Sequence, residues 1–238
     1  MHLGPAEARD FAARFVAGFT PSEDRETWFF PSAVSVEAAV SAFQRLSGAR
    51  IGVQDVHWEA KGAFTGATSV PLARAAGATS ALVGHSERRH VFGESDEETS
   101  RKVRAVLAGT LIPLLCVGEK LEERERGETA AVVKRQLCAA LVDVPAADLD
   151  RLVVAYEPVW AIGTGKTATP DDAATVHGGI RAELQRLGAQ GTRILYGGSV
   201  NRGNIEALLA KSEIDGVLVG GASLDPEGWA AIASTRFD

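Results

Sequence analysis

Seven short apolar runs recur along the chain, at residues 27–30, 50–54, 80–83, 111–117, 152–155, 193–196 and 216–219. Amphipathic stretches of helical period lie around and between them, at 5–19, 36–46, 97–108, 128–141, 171–187, 204–211 and 226–234. The interiors of the runs are almost continuously apolar rather than alternating, as expected for parallel strands buried on both faces. Strand–helix alternation of this kind restricts the fold to a parallel sheet, wound open or closed into a barrel. Pro5 and Pro226 open the first and last helical stretches, where a first-turn proline costs no hydrogen bond. No linker or low-complexity segment interrupts the pattern, so residues 1–238 read as one domain.

The position of the glycine-rich and polar clusters separates the two topologies. They follow several different strands: Gly84-His85-Ser86-Glu87, residues 157–166, Gly197-Gly198-Ser199 and Gly220-Gly221-Ala222-Ser223. An open doubly wound sheet gathers such clusters at one switch point. A (β/α)8 barrel spreads them over the C-terminal ends of its strands, and the barrel is the better reading. The pattern nevertheless starts with a helix and contains seven strands, one short of that barrel.

Charge and composition exclude several function classes. A net charge of −6 in 238 residues argues against a nucleic-acid footprint. No apolar run is long enough to span a bilayer, and the N-terminus lacks a basic-then-apolar leader, so a cytoplasmic protein without membrane contact is expected. Cys116 falls in an apolar run and Cys138 in a helical stretch, which predicts buried thiols in a reducing compartment. No Cys/His cluster has metal-ligand spacing.

The run Tyr156-Glu157-Pro158-Val159-Trp160-Ala161-Ile162-Gly163-Thr164-Gly165-Lys166 carries the densest chemical signal. Pro158 cannot extend a ladder, so Glu157 is expected at the strand's exit. Gly163 and Gly165 give the following loop freedom to move and to approach a ligand closely. The arrangement reads as a carboxylate base beneath a hinged lid, although a lone Glu-Pro also fits an ordinary solvated junction. His85 is expected at another strand exit, with Ser86 placed to cap a short helix whose N-terminus keeps the imidazole neutral. A single histidine also fits a packing role. Glu87, Arg88 and Arg89 fit an ion-pair network. The turns at Gly197-Gly198-Ser199 and Gly220-Gly221 can present backbone N–H groups to an anion, or can be plain tight turns; together, after the last two strands, they favour phosphate.

Taken in order, Val83-Gly84-His85-Ser86-Glu87-Arg88-Arg89, the Tyr156–Gly165 run, Tyr196-Gly197-Gly198-Ser199-Val200 and Leu218-Val219-Gly220-Gly221-Ala222-Ser223-Leu224 resemble the motifs of the triosephosphate isomerase family. Gly62-Ala63-Phe64-Thr65-Gly66 is similar to that family's dimer-forming loop, and the resemblance covers residues 3–234. It implies a TIM-type (β/α) barrel in glycolysis and gluconeogenesis, acting on a small phosphorylated triose without cofactor or metal. It further implies Glu157 as the proton-shuttling base, His85 as the group polarising the carbonyl, and Glu87 as support for the polar network. Gly163, Ser199, Gly220 and Gly221 would bind the substrate phosphate, and residues 158–167 would form the lid. Gly62, Phe64 and Thr65 would contact a second copy, although Ala67 stands where the family commonly has an acidic residue.

The chain departs from the family at its start. Met1 aligns with the end of the family's first strand, so that strand, with its active-site Asn and Lys, is missing here. Lys61, Lys102, Lys134 and Lys166 fall elsewhere in the pattern. Two expectations follow: unpaired edges on the strands at 27 and 216, and severely impaired turnover, since a lost charged donor typically costs ~10²–10³. Three accounts fit: a translation start placed too late, a shortened isomerase, or a non-catalytic barrel that binds a phosphorylated ligand or a protein partner.

Overall fold

In a computed structural model, described for residues 1–162 and 167–235, the seven runs form one parallel sheet in the order β1-β2-β3-β4-β5-β6-β7. The strands are β1 (Thr27–Phe29), β2 (Ala49–Val53), β3 (Ser80–Val83), β4 (Ile112–Val117), β5 (Val153–Tyr156), β6 (Arg193–Tyr196) and β7 (Gly216–Val217). Each pairs with its successor, as in Leu114↔Val153 and Tyr156↔Tyr196, while β1 and β7 do not pair. The helices are α1 (Pro5–Gly18), α2 (Val36–Phe43), α3 (Val70–Ala75), α4 (Ser86–His90), α5 (Asp96–Ala108) and α6 (Leu121–Glu125). They continue as α7 (Thr129–Leu141), α8 (Ala146–Leu149), α9 (Pro170–Arg186), α10 (Ile205–Leu209) and α11 (Pro226–Ala233).

The continuous apolar runs follow from burial on both faces of a curled sheet. Successive side chains point to opposite faces. One set, Leu82, Leu114, Cys116, Val153 and Ala155, packs with Trp28, Phe30, Leu195 and Leu218 in a cluster made by strands and the residues next to them, without the helices. The alternate set, including Ala81, Val83, Leu115, Val117 and Val154, packs outward against the helices. The aromatic Phe30 reaches the inner face because Gly52 makes room: a Cβ there would lie 2.4 Å from the Phe30 ring.

The sheet stays open between β1 and β7, but the helical layer crosses the break. Helices α1 and α11 pack together, and Arg14 holds Glu227 through two bonds of 2.8 and 2.9 Å. Arg25 donates to the carbonyls of Ala233 and Thr235, at 3.0 and 2.6 Å. Arg193 of β6 reaches Glu26 at 3.1 Å.

Several predicted bounds change. The 216–219 run keeps only Gly216–Val217 as strand, because it is paired on one side alone; Leu218 N–H still bonds Tyr196 O at 2.9 Å. The 36–46 helix stops at Phe43, where an i→i+3 bond from Leu46 to Phe43 tightens the chain toward Gly48 at φ +76°. The short helix expected after His85 is α4, whereas α3, α6 and α8 were not anticipated, since so few residues show no period. Cys116 is buried as expected, whereas Cys138 is only half-buried.

Candidate active site

Two strand ends bring the central pair together. After β3, Gly84 takes φ +69° and turns the chain into α4. His85 is itself the N-cap of this helix: its Nδ1 accepts the Glu87 N–H at 3.3 Å. Ser86 was expected in that capping role; it instead opens the helix, and its free first-turn N–H points at a carboxylate. That carboxylate is Glu157, one residue beyond β5. Its Oε2 accepts Ser86 N–H at 2.9 Å and its Oε1 lies 3.1 Å from His85 Nε2. Glu157 is buried, so the solvated-junction reading fails.

The hydrogen-bond pattern assigns the imidazole tautomer. Nδ1 receives a backbone N–H, so the ring proton sits on Nε2 and faces Glu157. Burial pulls the His85 pKa down, while the hydrogen bond and charge of Glu157, then Glu87 and Glu94, push it up, and the net shift is upward. The helix end alone had suggested the opposite. A carboxylate in direct contact outweighs the partial charge of a single helix terminus. Burial, followed by the charge of Glu157, also pushes the Cys116 thiol well above its usual value.

The turn that carries His85 is clamped from behind. Gly84 N–H donates to Glu94 at 3.0 Å and Gly84 O accepts from Arg89 at 2.7 Å. Buried Glu94 also takes Lys102 at 2.6 Å and Arg88 at 3.4 Å, while Arg89 binds Asp96 at 2.7 Å. Both arginines are therefore structural, as the sequence suggested. Glu87 stays outside this network: it is exposed, and its carboxylate has no hydrogen-bond or ion-pair partner among the described residues.

The remaining site residues are dispersed along the same end of the sheet. Ser199 Oγ donates to Ala161 O at 2.6 Å, tying the turn after β6 to the segment after Glu157. Gly220 and Gly221 follow β7, exposed and with open space where a Cβ would stand, and Gly221 begins a 3-10 turn to Leu224. Gly163, Gly165 and Lys166 lie outside the described residues.

The family model described as "Triosephosphate isomerase" matches residues 1–236. The triosephosphate isomerase of Aquifex aeolicus is 45% identical over 229 residues, which are 95% of this chain and 92% of that protein. That of Solibacter usitatus is 43% identical over 238 residues, covering 98% of this chain and 95% of the relative. That of Endomicrobium trichonymphae is 50% identical over 189 residues, 78% of this chain and 76% of the relative. This chain belongs to the triosephosphate isomerase family. It is an isomerase by family, and the family interconverts dihydroxyacetone phosphate and glyceraldehyde 3-phosphate. The fold is of the TIM type, with seven strands present.

Around this isomerase centre stand residues that the sequence did not single out. Fully buried Glu119 accepts from Tyr156 Oη at 3.1 Å and from Trp160 Nε1 at 2.9 Å, fixing the root of the segment after Glu157. Arg124 lies over the Trp160 ring, 4.4 Å from its centroid. Gly118, beside it, runs so close to Glu157 that a Cβ would stand 1.8 Å from Glu157 O. Both follow β4 directly, the position that drew attention to the other strand ends. Among the described residues, no helix is long and apolar enough to cross a membrane.

Proposed function

We propose that Glu157 is the base that shuttles a proton between adjacent carbons of the triose phosphate, and that His85 is the electrophile facing the carbonyl oxygen. The observation that carries this reading is the pairing of the two groups, Nε2 to Oε1 at 3.1 Å, from the ends of two different strands. A carboxylate takes a proton from carbon only when it is ionised, and Glu157 accepts from Ser86 N–H and faces the ring proton of His85 with its two oxygens. His85 cannot take a second proton on Nδ1 without turning a donor against the Glu87 N–H. Once substrate separates it from Glu157, the ring is a neutral donor through Nε2, suited to stabilising negative charge on an enediolate oxygen.

Ser199, Gly220, Gly221 and the N–H of Gly163 are assigned to the phosphate. Support comes from the place of Ser199, Gly220 and Gly221 after β6 and β7, where backbone donors suit an anion, while Gly163 is assigned by the family resemblance alone. Ser199 Oγ, now given to Ala161 O, would turn to substrate as residues 158–167 close. Exposed Glu87 contributes negative charge that raises the His85 pKa. We read residues 1–238 as a single cytoplasmic domain that pairs with a second copy. Exposed Val34, Phe64, Val91 and Phe92 follow β1, β2 and β3 at one end of the sheet and favour such pairing, with Gly62 and Thr65 flanking Phe64. Light scattering across a dilution series tests the dimer.

A coupled dehydrogenase assay tests this reading of the site. The chain should interconvert the two triose phosphates, and Glu157→Gln should lose at least about 10²-fold in turnover. Equal rates for the two contradict the proposal.

A further inference from the structure

We infer that Gln136 is a positioning residue for Glu157, acting through the backbone of Gly118; the inference rests on Glu157 being the base. Gln136 lies on the buried face of α7, among Val132, Val133, Leu137, Ala140 and Leu141. An amide on such a face costs free energy unless it is hydrogen-bonded. Its bonds go to a single residue: Oε1 accepts Gly118 N–H at 2.7 Å and Nε2 donates to Gly118 O at 3.1 Å. Both polar groups of one peptide position are thus fixed by one side chain.

Gly118 is the middle of a three-residue shelf under the catalytic segment. On one side of it, Val117 O accepts Glu157 N–H at 2.8 Å. On the other, Glu119 O accepts Val159 N–H at 3.1 Å. Gly118 itself faces the Glu157 backbone at van der Waals distance, since an added Cβ would stand 1.8 Å from Glu157 O and 2.6 Å from its carbonyl carbon. Its own N–H and C=O therefore turn outward to the helix layer, where Gln136 meets them. The height of Gly118 sets the height of Glu157, and Gln136 sets the height of Gly118. A leucine or methionine would fill the same volume on α7 and leave two buried backbone groups without partners.

The test compares Gln136→Met and Gln136→Glu with the unmodified polypeptide, measuring kcat and KM against pH and recording thermal melting. Gln136→Met should lose about 10- to 100-fold in kcat, as expected for a base displaced by up to ~1 Å, with KM unchanged within about twofold. Gln136→Glu keeps the acceptor for Gly118 N–H and regains the donor only when protonated. Burial raises that carboxyl above the usual range. Its kcat should match the unmodified chain at low pH and fall as the new group ionises, a limb that the unmodified chain lacks. A kcat for Gln136→Met within twofold, or a loss carried wholly in KM, overturns the inference. If Gln136→Met does not fold, the Gln136→Glu profile decides, and a profile identical to the unmodified chain overturns it. Glu157→Gln is assayed alongside. If it abolishes turnover while the Gln136 variants do not respond, only the positioning role fails; if it retains turnover, the base assignment fails and the positioning role with it.

Discussion

Gly118→Ala puts the geometry of the shelf to a direct trial. The added methyl would stand 1.8 Å from Glu157 O, 2.6 Å from Glu157 C and 3.3 Å from Glu157 Cα, all backbone atoms. Carbon atoms pack at about 3.5 Å or more, so the two backbones must part by roughly 1.5 Å. They are tied by Glu157 N–H to Val117 O and Val159 N–H to Glu119 O, and Gly118 is held from behind by Gln136. Strain therefore falls on bonds that locate the base. Overpacking of this kind costs about 1–3 kcal/mol of stability. A misplacement near 1 Å costs about 10² in rate, equivalent to about 2.8 kcal/mol in the transition state. Urea unfolding gives the first quantity and coupled isomerase kinetics the second. Gly178→Ala on α9 is the control: nothing lies within 4 Å of its Cβ, so stability should rise by about 0.5–1 kcal/mol with kcat unchanged. If Gly118→Ala keeps kcat within about threefold and its urea midpoint, the backbone shelf does not set the position of Glu157.

Two further outcomes are expected. His177 is fully buried, its Nδ1 is 3.1 Å from Glu213 O, and burial lowers its pKa to about 4. The unfolded chain, with an ordinary histidine near pH 6.5, takes up the proton first, so stability is full above that pH and is lost as pH falls towards about 4. The loss should reach about 2 kcal/mol at about pH 5 and about 3 kcal/mol below about pH 4. Urea melts of His177→Gln should be flatter over this window, and equal slopes for the two proteins would count against the assignment. Thr169 caps α9, accepting Asp172 N–H at 3.1 Å while Asp172 reaches back to Thr169 N at 3.3 Å. Thr169→Ala should lower stability by about 1 kcal/mol in the same melts, and no change would show that the cap is dispensable.

The fold was legible because both faces of each strand are buried. Leu114 and Cys116 point inward while Leu115 and Val117 point outward, and four apolar residues in a row are the trace of that arrangement. The edge strands were read too long, since Leu218 and Val219 are as apolar as the rest and only the missing neighbour ends the ladder. His85 and Glu157 were legible as strand-end residues, but their contact was not: 72 positions separate them, and that contact reverses the direction expected for the imidazole pKa. Glu119 looks like any acidic turn residue until Tyr156 and Trp160 are seen to bond it. Gln136 reads as one more polar residue on an amphipathic helix, and only its two bonds to Gly118 set it apart.

The assignment of Glu157 as the base is tested most directly by proton exchange at carbon. Dihydroxyacetone phosphate is incubated in deuterium oxide with the unmodified chain and with Glu157→Gln, and deuterium at the carbon bearing the hydroxyl is followed by proton NMR. The substitution is isosteric and can still accept the Ser86 N–H that now holds the side chain at 2.9 Å. The unmodified chain should exchange this position, and Glu157→Gln should slow the exchange by at least about 10²-fold with unchanged melting. Exchange by Glu157→Gln at the unmodified rate would contradict the account.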